Sequence, residues 1–278
     1  MRSLTQPGPV ATERMKAVPC RAHPVQLPLA AGATVNEAIT GALARAGFSS
    51  GYVTLENVAV APMRYVIPAN APDDTHVAWY SDTHAPDGVV VIERAGVIVG
   101  TRDGEPFMHC HGIWREPDGA RRAGHLLPHD TIIAANAQLH GWGTEGAVFV
   151  AREDPETNFK LFAAEPTEPA AARPNALVAT IRPNGDVCLA IEALCRANGR
   201  SSATIHGVGS LVGVDFTDNR HVPSYATEVF ITRGEVSAST CSLDVALVGL
   251  DGEIHEGRLK RGTNPVCITF ELLVAFAD

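Results

Sequence analysis

The chain has 278 residues, 45% of them hydrophobic and 19% charged, which is enough apolar material for one large or two ordinary domains. Its net charge of −9 and pI near 5.6 give no global attraction to phosphate backbones, so nucleic acid is a disfavoured partner. Six scattered cysteines with no Cys-x-x-Cys pair argue against a disulfide scaffold and for a reducing compartment. Residues 1–22 hold no apolar run fit for a signal peptide or a membrane span. The expectation is a soluble, cytoplasmic protein without a membrane partner.

In chain order, residues 1–19 are rich in proline and read as a loose arm laid over a neighbour. Cys20 to Leu29 reads as a strand. A helix opens at Ala33-Thr34-Val35-Asn36-Glu37, where Thr34 and Glu37 have capping-box spacing. It carries the apolar stripe Val35, Ile39, Ala42, Leu43 and Ala46 and stops at Gly47. Strand-like runs follow at Tyr52–Leu55, Val58–Ala61, Tyr65–Ile67, Trp79–Ser81, Val89–Ile92 and Val97–Val99.

The stretch Met108-His109-Cys110-His111-Gly112 comes next. After it, Glu116-Pro117-Asp118-Gly119 is turn chemistry and Ala123-Gly124-His125-Leu126 a returning strand. Residues two apart on a strand share a face, so His109 and His111 point together and the turn brings His125 level with them. Three imidazoles suit a divalent metal with one coordination position left open. Zinc comes first, and iron, manganese and nickel are also compatible with imidazole. The competing reading is three histidines on a polar sheet face or at a subunit contact. Further strands are expected at Thr131–Ala135 and Ala147–Val150. Residues 151–175, rich in Pro, Glu, Thr and Ala, read as a linker in which only Phe159–Phe162 docks.

The second half repeats the first. Leu194-Cys195-Arg196-Ala197 matches Leu43-Ala44-Arg45-Ala46 at an offset of 151, and Asp251–Leu259 matches Asp118–Leu126 at an offset of 133. The difference, 151 − 133 = 18, assigns 18 extra residues to the first copy around Asn70–Asp87. At offset 133, His109, His111 and His125 become Ser242, Asp244 and Arg258, so only one copy keeps the imidazole trio. The expected organisation is an arm (1–19), a first domain (20–150) with the histidines, a linker (151–175) and a second domain (176–278) without them.

The order His-x-His, Asp-Gly, Gly-His-Leu in the first copy resembles the plants-and-prokaryotes conserved domain, also called PCC or DUF296. Gly207-Val208-Gly209-Ser210-Leu211, Glu228–Gly234 and Thr269-Phe270-Glu271-Leu272 in the second copy are similar to other blocks of that domain. The resemblance implies an α+β fold: two tandem copies of a domain with a curved, mostly antiparallel sheet and a flanking helix, commonly assembled as trimers. It also implies a metal at His109, His111 and His125. The fold resembles that of acetolactate decarboxylase, a zinc enzyme with a comparable histidine hairpin. Many relatives of the domain are labelled as DNA-binding and in plants follow an Arg-Gly-Arg-Pro hook, which this chain lacks.

These readings converge on a metal-dependent enzyme, of lyase, decarboxylase or hydrolase type, acting on a small anionic oxo- or hydroxy-carboxylate. The alternative is a non-catalytic metal- or ligand-binding protein with a regulatory role at DNA. Candidate catalytic groups are Glu56, expected where the glycine-rich segment nears the metal, His140, and Arg64 as a carboxylate clamp. A solvated acid, a structural histidine and a surface arginine are the bland counterparts. His84, Trp114 and Trp142 are lesser candidates, and Gly207–Ser210 is a possible anion cradle weighed against a tight turn or subunit contact.

Overall fold

The computed structural model describes residues 2–277. The first half contains β1 (Met15–Leu29), α1 (Val35–Arg45), β2 (Gly51–Val60), β3 (Tyr65–Val66), β4 (Pro68–Ala69), β5 (Trp79–Tyr80), β6 (Val90–Arg102), β7 (Glu105–Arg115), β8 (Arg121–Leu126), β9 (Ala137–Glu145), β10 (Ala147–Glu153) and β11 (Lys160–Pro166). The second contains β12 (Ala176–Ile181), α2 (Val187–Ala197), β13 (Ala203–Leu211), β14 (Val214–Asp215), β15 (His221–Val222), β16 (Glu228–Ser237), β17 (Thr240–Val248), β18 (Ile254–Arg258) and β19 (Val266–Phe276). Neither helix is long and apolar enough to cross a membrane.

The hydrogen-bonded order is β18-β17-β16-β13-β19-β12-β1-β9-β2-β6-β7-β8-β3. Read outward from the β12–β1 junction, both arms follow one plan, so the sheet is a duplicated unit related by an approximate two-fold. Nearly all pairings are antiparallel, the exception being a short parallel contact of β10 with β6. The long β1 joins the halves: Met15–Cys20 pairs with β12, and Arg21–Leu29 pairs with β9.

The sheet curls so that its halves face each other, with β6, β7 and β8 against β13, β16 and β17. Tyr52, Ile98, Phe149, Val208, Phe230 and Leu273 fill the space between them. On the outer faces, α1 packs over Val53, Leu55 and Val97, and α2 over Ile205, Leu243 and Leu272. The layers are therefore helix, half-sheet, half-sheet, helix, each half-sheet being apolar on both sides.

The first helix begins as the sequence indicates. Thr34 and Glu37 form a reciprocal capping box, and Asp186 caps α2 through the Leu189 N–H. The caps fix the repeat at 186 − 34 = 152 residues. Sheet register agrees: Tyr52 pairs with Ile98 and Ile98 with His109, just as Thr204 pairs with Glu235 and Glu235 with Ser242. Here too 204 − 52 = 152, while 242 − 109 = 133. The offset of 151 is thus corrected by one residue: the two helices have equal length and end in equivalent cap and glycine positions, Ala46-Gly47 and Asn198-Gly199, so the match of Leu194–Ala197 to Leu43–Ala46 is one residue out of structural register. The first copy's excess becomes 152 − 133 = 19 residues: since 235 − 98 = 137, 15 of them (152 − 137) fall between β2 and β6, in the region of β3–β5, and 4 (137 − 133) lengthen the β6–β7 hairpin.

Three boundaries also shift. The arm ends at Arg14, and it lies on the chain's own second half. There Arg2 donates to the Val212 and Thr263 carbonyls, and Gln6 to that of Cys267. Most of the expected linker is a hairpin: β10 pairs with β11 from Ala147↔Pro166 to Glu153↔Lys160, burying Phe149, Phe162 and Ala164. Alternate residues of Lys160–Pro166 face the core, a period-2 signal that the polar composition hid. Thr131–Ala135 makes only isolated bridges, through Ile132 and Ile133.

Candidate metal centre

The histidine hairpin forms as its residues dictate. Gly119 adopts φ +86° in the turn, and Glu116 N–H donates to the Ala120 carbonyl. His111 lies directly opposite His125 across β7 and β8, and Cys110 points the other way into the core under α1. One ring nitrogen from each of His109, His111 and His125 lies within 4.8 Å of the others. His109 Nε2 is 2.9 Å from His111 Nε2, which is 3.3 Å from His125 Nδ1. The equivalent pair in the second copy, Asp244 opposite Arg258, is a bidentate ion pair at 2.8 and 2.9 Å.

Two carboxylates from the second half complete the centre. Glu271 of β19 receives His109 Nδ1 at 2.6 Å, and Glu228 of β16 lies 2.8 Å from His111 Nε2. Glu271 is 1% exposed and His111 is 2% exposed. Glycine places Glu271: it sits opposite Val208 on β13, and Cβ atoms on Gly207 and Gly209 would come within 2.3 and 2.5 Å of the Glu271 and Thr269 carbonyl oxygens. The Gly207–Ser210 segment is therefore a strand interior pressed against β19, neither a turn nor an anion cradle.

Burial and the neighbouring His111 hold His109 down at about 3. Burial, with His109 and His111 beside it, holds His125 well below the usual range. Burial also opposes charge on His111, yet the Glu228 carboxylate and the Val229 carbonyl outweigh it and raise that ring. Burial acts to raise Glu228, but the three imidazoles lower it. Burial, with Glu228 nearby, pushes Glu271 up to about 8.

The donor set fits a cation. His111 Nδ1 faces the Val229 carbonyl at 3.0 Å, and a carbonyl only accepts. A neutral His111 therefore carries its proton on Nδ1 and turns the Nε2 lone pair toward His109 and His125. Ring nitrogens this close need a shared proton or a cation between them, and metal-binding imidazoles are commonly fixed through the other nitrogen in this way. In the absence of metal, a proton on His111 shared with Glu228 serves that purpose.

A cavity of about 420 Å³ opens on His109, His125 and Glu271, walled by Tyr80, Phe107, Leu161 and Phe162. A smaller one, about 60 Å³, reaches His109, His111 and Glu228. None of Glu56, His140 and Arg64 lines either cavity. Glu56 and His140 line a different cleft between the halves, with Arg94, Trp142 and His206. Arg64 turns back onto the Met63 carbonyl at 2.8 Å. His84 stacks on Tyr65 at 4.8 Å, and Trp114 is fully buried beside the same ring. The carboxylates at the centre, Glu228 and Glu271, lie within the blocks Glu228–Gly234 and Thr269–Leu272 and outside the expected site residues. A charge inside the apolar run Thr269–Val274 was the available signal, since unpaired acids are rarely buried.

No curated protein matches the chain. Among solved structures, it is similar to a plant- and prokaryote-conserved (PPC) protein from Pyrococcus horikoshii, with 14% identity and a TM-score of 0.42, covering 51% of this chain and 93% of that one. It is also similar to a metal-containing protein from Archaeoglobus fulgidus, with 18% identity and a TM-score of 0.42, covering 53% and 98%. The family model of the Plants and Prokaryotes Conserved (PCC) domain matches residues 169–277. The second half of the chain therefore carries the match to the PCC domain, and the first half repeats the strand order and helix of that matched region.

Proposed function

We propose that the protein is a metal-dependent enzyme, with zinc at His109, His111 and His125, acting on a small oxo- or hydroxy-carboxylate by lyase, decarboxylase or hydrolase chemistry. The observation that carries this reading is the convergence of three imidazole nitrogens beside two buried carboxylates at the wall of a 420 Å³ cavity. Bound zinc would supply a Lewis acid that polarises a carbonyl or carboxylate oxygen. Glu271 holds the His109 ring through Nδ1, and the Val229 carbonyl holds His111. Glu228 stands 2.8 Å from His111 Nε2, which suits a group that takes up or delivers a proton. Tyr80, its ring 5.3 Å from that of His125, closes one wall.

Metal content after loading and dialysis, followed by turnover of a panel of 2-oxo and 2-hydroxy acids, tests the proposal. One bound zinc per chain and turnover lost on Glu228→Gln are expected. A loaded protein inert to every acid would refute the enzymatic part. A second reading rests on the 2.8 Å approach of Glu228 to His111: Glu228 as a fourth ligand would close the sphere and leave a non-catalytic metal or ligand sensor. In that case Glu228→Gln weakens zinc binding itself. A cytoplasmic homo-oligomer remains part of the proposal, and light scattering tests the assembly.

A further inference from the structure

The cavity beside the histidines has a second polar end. Arg102, the last residue of β6, lines it, and its guanidinium lies over the Phe107 ring at 5.3 Å. Phe107 stands two residues before His109 on the same face of β7, about 7 Å along the strand. Among the described residues the Arg102 guanidinium donates no hydrogen bond. Its one carboxylate contact is Asp103 at 3.9 Å, and both oxygens of Asp103 are already taken by Lys160 at 2.8 and 3.0 Å. Lys160 also lines the cavity, but Asp103 and Glu153 use its charge. Phe107, Leu161 and Phe162 give the cavity an apolar wall, and His129, stacked on Phe107 at 5.7 Å, lines it together with Thr83 and Asp130.

A planar cation held over an aromatic ring, with its donors unused, is a preorganised fork for a carboxylate. We infer that Arg102 fixes the far end of a dicarboxylate, so that the substrate class of this site is an oxo- or hydroxy-diacid about five or six carbons long. Its reacting end lies at the three histidines and its methylenes pack on Phe107, Leu161 and Phe162. This inference rests on the proposed function and narrows it: a monoacid of the same length would leave Arg102 without its counter-charge.

Isothermal titration calorimetry with 2-oxoglutarate, 2-oxopentanoate and glutarate tests it, on zinc-loaded and metal-free protein, in wild type, Arg102→Gln and Arg102→Lys. Arg102 is half exposed at a strand end, so the variants are expected to fold, and thermal unfolding checks this. Loaded wild type should bind 2-oxoglutarate about tenfold or more tighter than 2-oxopentanoate, the range of a charged hydrogen-bonded pair. Arg102→Gln should bring the two within about twofold by weakening the diacid alone, with Arg102→Lys between. Equal affinities in wild type, a preference that survives Arg102→Gln, or no diacid binding at all would overturn the inference. Glutarate lacks the oxo group and needs no metal. Arg102-dependent glutarate binding to metal-free protein would therefore support the clamp even if zinc failed to bind, and its absence there, with zinc bound normally, would count against Arg102 alone.

Discussion

Zinc should stabilise this protein, and His111→Ala should abolish the effect. A ligand that binds only the folded chain adds about 2.7 kcal/mol at a concentration 100 times its Kd. For a chain of this size, 1 kcal/mol moves Tm by roughly 2–4 °C, so zinc should raise it by about 5–10 °C. His111 is the pivot because its Nε2 lies within 3.3 Å of a nitrogen on each of the other two rings. The substitution also strips Glu228 of its buried partner and the Val229 carbonyl of its donor, so the metal-free variant should itself be less stable, by about 3–5 kcal/mol. Differential scanning calorimetry of chelator-stripped protein, with and without zinc at neutral pH, reads both effects. A zinc-induced shift of wild-type size in His111→Ala would refute the assignment. So would the absence of any shift in wild type with zinc, iron, manganese and nickel alike.

Three further outcomes follow from the same structure. Metal-free protein should lose stability as pH rises from about 6.5 to 8. Glu271, raised to about 8, and His111, also raised, each bind a proton in the folded state that the unfolded chain has released by then. Glu271 alone contributes up to about 2 kcal/mol, and denaturant titrations across that range measure it. Phe149→Ala should cost about 3–5 kcal/mol in urea unfolding, because the ring is wholly buried between the half-sheets; a loss below 1 kcal/mol would contradict that packing. Gly143→Ala should destabilise by about 1–3 kcal/mol in the same assay, since the new Cβ would stand 2.2 Å from the Phe48 ring.

The elements read correctly from sequence are those whose signals are local. The capping box at Thr34, the Glu116–Gly119 turn and the period-2 spacing of His109 and His111 each act over a few residues. They place α1 and the hairpin carrying the trio without reference to the rest of the chain. What escaped the sequence depends on distant contact. β9 has a weak strand signal because Gly141 and Gly143 interrupt it. Those glycines are needed because Cβ atoms there would strike the Tyr52 carbonyl and the Phe48 ring, both remote in sequence. The β10–β11 hairpin was hidden by composition, although Phe162 and Ala164 alternate inward. Sequence proximity within the first copy points to Glu56, whereas the acids that reach the histidines, Glu228 and Glu271, cross from the second, brought there by the folding of one half-sheet onto the other. The packing of the halves makes this intelligible: β7 and β8 lie against β16 and β17, so a site on the first copy recruits groups from the second.

The central claim is a cation held by three imidazoles with room for a guest. Zinc K-edge X-ray absorption on the loaded protein, compared with Glu228→Gln, tests it most directly. The account predicts three imidazole scatterers plus at least one oxygen at about 2.0 Å that the substitution leaves in place. A spectrum with fewer than three imidazoles, or one whose oxygen shell disappears with Glu228, would contradict it.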